Sequence, residues 1–145
     1  MSATSNKVRE LPVIGGHYAP GRRAGDFVFT AGQVPRDHDR NVIGDTIETQ
    51  TIATLANVQR VLAEFGATLD HVVKTTVHLA NLSDAAAFNL VYAQHFPNSK
   101  PVRTVTGSQL NGVLVEIDVV AYLGPEHAER SEAGPRQATE TTTQL

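Results

Sequence analysis

From Val113 to Leu123 the chain alternates in character. Val115, Ile117 and Val119 fall on one side, and Glu116, Asp118 and Val120 on the other. Side chains of a strand point alternately to its two faces, so this stretch reads as a sheet strand with one face turned to a core. A second alternating stretch, His71 to Leu79 (HVVKTTVHL), sets Val73, Thr75, Val77 and Leu79 on one face. Any fold for this chain must sandwich these strands against a layer that accepts only one of their sides.

That layer is supplied by segments of helical period. Ile47, Thr51, Leu55, Val58, Leu62 and Phe65 recur at steps of three or four. Asp45 is placed to cap this helix, Glu48 three residues on completes a capping-box pattern, and Gly66 stops it. Ser83 is placed to cap a second helix, on which Phe88, Val91, Tyr92 and His95 or Phe96 share a face, with Pro97 and Pro101 bracketing its exit. Phe27–Ala31 is rich in strand formers and is ended by Gly32-Gln33-Val34-Pro35. Upstream, Val8–Ile14 reads as a short edge strand interrupted by Pro12, the stretch 15–21 as a loop and 36–44 as a polar loop. The last strands, Val102–Gln109 and Val113–Leu123, flank Asn111-Gly112, a strong hairpin signal because both residues tolerate positive φ.

The order is β–β–α–β–α–β–β. It predicts an α+β fold, a mixed sheet with two helices packed on one face. The other sheet face then lacks a cover, and self-association is the expected way to bury it. With 145 residues the chain is expected to form one domain over 1–123. Residues 124–145 (GPEHAERSEAGPRQATETTTQL) hold almost no large apolar side chain and read as a polar, disordered tail.

Composition narrows the chemistry. There is no cysteine, which removes disulfides, thiolate metal sites and thiol nucleophiles and suits a reducing compartment. A net charge of −3 offers no footprint for nucleic acid or an anionic membrane. No apolar run spans a bilayer and residues 1–16 lack a signal-peptide core, so the expected location is cytoplasmic. The phosphate-loop, dinucleotide, nucleophile-elbow and His-Glu-x-x-His motifs are all missing. The six histidines show no metal-ligand helical spacing, so no metal site is expected.

Two charged residues in apolar strands stand out. Arg103 opens the strand after Pro101-Val102, and Glu116 lies inside Val113–Val120. If Asn111-Gly112 is a two-residue turn, the hairpin pairs Gly107 with Glu116, Val105 with Asp118 and Arg103 with Val120. Arg103, Val105, Gly107 and Glu116 would then share the face the helices leave bare. An arginine there offers a planar fork for a carboxylate, and a glutamate with apolar neighbours can hold or activate a water. An intersubunit ion pair accounts for the same spacing.

Several ordered segments carry a resemblance. Arg23–Pro35 (RAGDFVFTAGQVP) is similar to the segment RAGDLVFVSGQxP of the RidA (YjgF) family. Ile47–Thr51 with Leu55–Val58 resembles its helix IExQTxQxLxNV, and Val72–Leu79 resembles VVKxTVFL. Phe88–Tyr92 matches FNxVY, while Pro101–Val105 and Val115–Asp118 resemble PARxxV and VEIEA. The similarity covers about residues 14–123. It implies a RidA or chorismate-mutase-like fold assembled as a homotrimer, with sites in the clefts between subunits. It also implies an enamine/imine deaminase of the 2-iminobutanoate/2-iminopropanoate type, which releases 2-keto acids and ammonia without a cofactor. The implied partners are small imine or enamine carboxylates and other copies of the chain, with neither nucleic acid nor membrane.

By resemblance, Arg103 grips the substrate carboxylate and Glu116 positions the hydrolytic water. Tyr18 stands beside the pocket, Ala31 and Val105 line it, and Asn89 lies near the cleft. The chain departs from the family at His17 and Ala19 of the GPYSP loop, at Ala31 for serine and at Val105 for the cysteine of bacterial members. The step from Arg103 to Glu116 is also about two residues short of the family's spacing. Three other readings carry different signatures. A non-catalytic carboxylate-binding trimer would keep Arg103 without hydrolysis. An endoribonuclease would want a basic stripe and stacking aromatics. A chorismate-mutase-like activity would want several cations around a dicarboxylate, and only Arg103 is evident in the sequence.

Overall fold

The computed structural model describes residues 10–125; of the tail expected over 124–145, residues 126–145 lie outside them. Five strands form one sheet: β1 (Gly21–Ala24), β2 (Phe27–Thr30), β3 (Val72–Leu79), β4 (Val102–Gly107) and β5 (Val115–Tyr122). Two helices, α1 (Ile47–Ala63) and α2 (Ala85–His95), pack on one side of it. The expected α+β arrangement is observed, and so is the order of elements, although the first strand is a different segment.

The spatial order is β1-β2-β5-β3-β4. β4 runs parallel to β3, joined to it through α2, and every other pairing is antiparallel. A parallel neighbour needs such a crossover, which α2 supplies. The last strand then inserts between β2 and β3, so β4 and β5 do not pair. This overturns the expected hairpin. Gly112 does adopt a positive φ of 76°, but among the described residues Arg40 is the one non-glycine that does so. Asn111 therefore leaves unmade half of the two-residue turn, which needs positive φ at both central positions.

Other boundaries move for local reasons. Glu10–Ile14 form no strand; Pro12 has no N–H to donate, and Val13 makes a single backbone bond to the His38 carbonyl at 3.0 Å. The edge strand is instead Gly21–Ala24, within and just after the stretch expected to be a loop. The α1 cap is Thr46 in extended conformation, and its capping box closes on Thr49 rather than Glu48. Gly44, two residues ahead of the cap, has a positive φ of 85°, and the helix starts one residue later than expected. Ahead of α2, a short 3₁₀ turn over Leu82–Asp84 takes the place of a Ser83 cap. On β3 a register shift between Val72 and Lys74 inserts one residue, so Val72 rather than Val73 enters the core.

The core lies between the helices and one sheet face. Leu55, Val58 and Leu62 of α1 and Phe88 of α2 meet Val77, Leu79, Val115, Ile117 and Val119. Two buried amides of α1 tie loops to this layer. Asn57 Nδ2 donates to the Val34 and Arg36 carbonyls at 2.8 and 3.1 Å. Gln50 accepts from the Leu114 amide at 2.8 Å and donates to the Gly44 carbonyl at 3.1 Å. Buried backbone groups left unpaired cost about 1–3 kcal/mol each, so these two side chains fix the course of both loops. On the opposite sheet face Phe27 and Phe29 remain 42% and 45% exposed beside Val120 and Tyr122.

Candidate active site

Parallel pairing sets Arg103 beside Thr75, Val105 beside Val77 and Gly107 beside Leu79. Thr75, Val77 and Leu79 are buried, so Arg103 belongs to the helix side of the sheet. Glu116 pairs with His78 on the other side. The expectation that Arg103, Val105, Gly107 and Glu116 share the bare face is therefore wrong for a single chain. It depended on β4 and β5 being neighbours, and β3 lies between them.

Arg103 is nonetheless a constructed site. Its Nη1 donates to Asn89 Oδ1 at 2.9 Å. Its guanidinium carbon lies 4.7 Å from the centre of the Tyr92 ring and 5.8 Å from that of Phe88. Cation–π contact and the amide together hold the plane of the guanidinium. Tyr92 is held in turn by a 2.8 Å hydrogen bond between its hydroxyl and that of Thr75. Burial pushes the Tyr92 phenol above its ordinary range, while Thr75 and the Arg103 charge pull the other way. Asn89, Tyr92, Phe96, Lys100 and Arg103 line a cleft of about 690 Å³. Val105, two residues further along β4, packs against the core.

The remaining candidates gather elsewhere. Glu116 lies directly over Gly32, where a Cβ would come within 2.9 Å of its carboxyl carbon. The segment carrying Gly32 is pinned to β5 by reciprocal Gln33–Ile117 backbone bonds of 2.8 and 3.0 Å. Ala31 precedes it, donating its N–H to the Pro20 carbonyl at 2.9 Å, and its own carbonyl accepts from Gln33 Nε2 at 3.2 Å. Tyr18 is half exposed in the loop that leads into β1. β1 and β4 are opposite edges of the sheet, four strand spacings or about 19 Å apart. One chain thus brings Arg103 to Asn89 and Glu116 to Ala31, and leaves Tyr18 at the edge away from Arg103.

Sequence reasoning missed three residues here. Tyr92 supports Arg103; the signal was its position three residues after Asn89, the helical step that puts both on one face. Lys100 enters the cleft from just before β4, and no pattern pointed to it. His78, opposite Glu116, is oriented by a 2.9 Å hydrogen bond between Nδ1 and Ser108 Oγ. Near it, burial raises the Asp118 carboxyl, with His78 and Lys74 pulling it back down. Among the described residues no group of three His, Cys, Asp or Glu side chains is placed to hold a metal ion.

The family model described as Endoribonuclease L-PSP, the YjgF/RidA family, matches residues 9–123. The chain belongs to that family. It is 42% identical over 109 residues to a RutC family protein of Saccharolobus solfataricus, covering 73% of this chain and 86% of that one. It is 35% identical over 112 residues to the Saccharomyces cerevisiae protein Mmf1, mitochondrial, covering 76% and 77%. The crystal structure of yeast Mmf1 superimposes with a TM-score of 0.74 at 34% identity, over 79% of this chain and 93% of that one. That of E. coli TdcF with bound serine gives 0.72 at 29% identity, over 81% and 95%. The fold is thus shared with a yeast and a bacterial protein. Cytoplasmic location does not follow from membership, since one relative is mitochondrial by name. Among the described residues no helix is long and apolar enough to cross a membrane.

Proposed function

We propose that this RidA-family protein is a deaminase that hydrolyses enamine and imine derivatives of amino acids to 2-keto acids and ammonia. The observation that carries the reading is the guanidinium of Arg103, held by Asn89 and the Tyr92 ring in the lining of a cleft. A fixed guanidinium presents two parallel donors to one carboxylate. That TdcF was solved with serine bound, an amino acid with such a carboxylate, supports the assignment.

The reaction then requires one water. Its oxygen bonds to the imine carbon, the C–N bond breaks, and both water protons leave with the nitrogen as ammonia. Arg103 orients the imine, and Glu116 holds the attacking water and takes up its proton in transit. These two residues lie on opposite faces of one sheet. The site is therefore completed between copies of the chain, with Arg103, Asn89 and Val105 from one and Tyr18, Ala31 and Glu116 from its neighbour. The bare sheet face carrying Phe27 and Phe29 supplies the contact for a homotrimer. Sedimentation should give about three times the 15.6 kDa chain mass. Phe29→Asp places a charge in that contact and should yield monomers with at least tenfold less imine hydrolysis. An active monomer would remove the shared site.

The direct test couples purified protein to an amino-acid oxidase that generates imines, with keto acid and ammonia followed over time. Acceleration over the oxidase alone supports the deaminase. Binding of 2-oxobutyrate without acceleration would instead assign a carboxylate-binding role, which the Arg103 half of the site can fill by itself.

A further inference from the structure

The cleft beside Arg103 is cationic at two points. Lys100 lines it together with Arg103, three residues before it. An extended chain advances at most about 3.6 Å per residue, so their Cα atoms lie no more than about 11 Å apart. Both side chains are long, and both reach the same cavity. Arg103 is already oriented by Asn89 and Tyr92. Lys100 is exposed and has no hydrogen bond or ion pair among the described residues. The same lining includes the apolar side chains of Ala93, Phe96, Pro97 and Pro101. A volume of about 690 Å³ lies in the range of small-molecule sites and leaves room beyond a three- or four-carbon imine.

We infer that this cleft selects imines bearing a second carboxylate, those derived from acidic amino acids, with Arg103 holding the carboxylate next to the imine carbon and Lys100 the distal one. The inference rests on the deaminase reading, whose substrate class it names. The chemistry matches the two cations to distinct tasks. The planar fork of arginine fixes the reacting end, where geometry decides rate. The flexible ammonium of lysine meets a carboxylate at variable distance, as a chain of one or two methylenes requires. A monocarboxylic imine leaves Lys100 in water and gains nothing from it. The apolar side chains of the lining supply cover for the methylenes of the substrate.

Two measurements test this. In the first, imines are generated by glutamate oxidase and by a leucine-accepting amino-acid oxidase, and kcat/KM is obtained for each. The wild-type preference for the glutamate-derived imine should fall at least tenfold in Lys100→Ala and be partly restored in Lys100→Arg. In the second, glutarate and butyrate, which do not react, are titrated into the protein by calorimetry. Glutarate should bind more tightly than butyrate, and Lys100→Ala should abolish the difference. Hydrolysis of both imines with a ratio indifferent to Lys100 would overturn the inference and leave the deaminase intact. Lys100-dependent glutarate binding without hydrolysis of either imine would overturn the deaminase and keep the dicarboxylate cleft. Equal binding of glutarate and butyrate by the wild type would remove Lys100 from the site.

Discussion

Arg103→Lys is expected to lower kcat/KM for imine hydrolysis at least tenfold while assembly and fold persist. Three contacts make the native side chain more than a charge. Asn89 Oδ1 accepts from Nη1 at 2.9 Å, and the Tyr92 and Phe88 rings lie 4.7 and 5.8 Å from the guanidinium carbon. Lysine keeps the charge but has no plane to stack on Tyr92 and no second donor in a fixed fork. The carboxylate of the imine would still be attracted and no longer oriented, so the imine carbon would wander relative to the water. Losing one partner of a desolvated charge-paired contact costs about 2–5 kcal/mol, and tenfold in rate corresponds to about 1.4 kcal/mol. Arg103 is exposed in the single chain and outside the hydrophobic core, so the fold has little reason to respond. Sedimentation and turnover on the same preparation separate the possibilities. A trimer that dissociates with normal intrinsic turnover would make Arg103 an intersubunit tie, and a native kcat/KM would take it out of the site.

In this chain, the elements are encoded locally and the strand neighbours are not. Period and alternation are local properties, and they located α1, α2, β3 and β5 to within a few residues. Pairing is not local. Nothing between Val102 and Tyr122 indicates that β5 prefers the gap between β2 and β3 to its sequence neighbour β4. That preference comes from the buried ladder it makes on both sides, with Val28 on one flank and Val77 on the other. The hairpin signal at Asn111-Gly112 was therefore outvoted by long-range burial. The consequence for the site is large, because swapping a strand neighbour moved Glu116 to the opposite face from Arg103. The residues named by resemblance were a different matter. Arg103 does hydrogen-bond Asn89, and Glu116 lies over Gly32, the residue after Ala31, contacts that local patterning cannot encode. Lys100 falls outside any such signal, and His78 stands in a matched segment at a position where the motif has phenylalanine. Lys100 is defined only by the cleft wall around it, and His78 by a partner thirty residues away, Ser108, just past the end of β4.

Gly32→Ala is expected to lower turnover at least tenfold with only a small loss of stability. Gly32 is absent from the positive-φ positions, so its backbone accepts alanine and the constraint is space alone. The space is occupied by Glu116, whose carboxyl carbon and Cγ would lie 2.9 and 3.1 Å from the new methyl group, with Oε2 closer still. One of the two must yield. The Gly32 backbone cannot easily do so, because the next residue is locked to Ile117 by two backbone hydrogen bonds. Glu116 yields instead, through rotation of a flexible side chain, which costs the fold little but turns the carboxylate away from the place proposed for the water. A double-mutant cycle makes the prediction specific. Gly32→Ala and Glu116→Ala should each reduce kcat strongly, and the pair together should be no worse than Glu116→Ala alone, since the methyl group then has nothing left to displace. Thermal melts of all three variants check that the loss follows the carboxylate and not unfolding. Independent, multiplying losses would show that Gly32 acts through some other contact. A fully active Gly32→Ala would show that the carboxylate's present position has no part in the reaction.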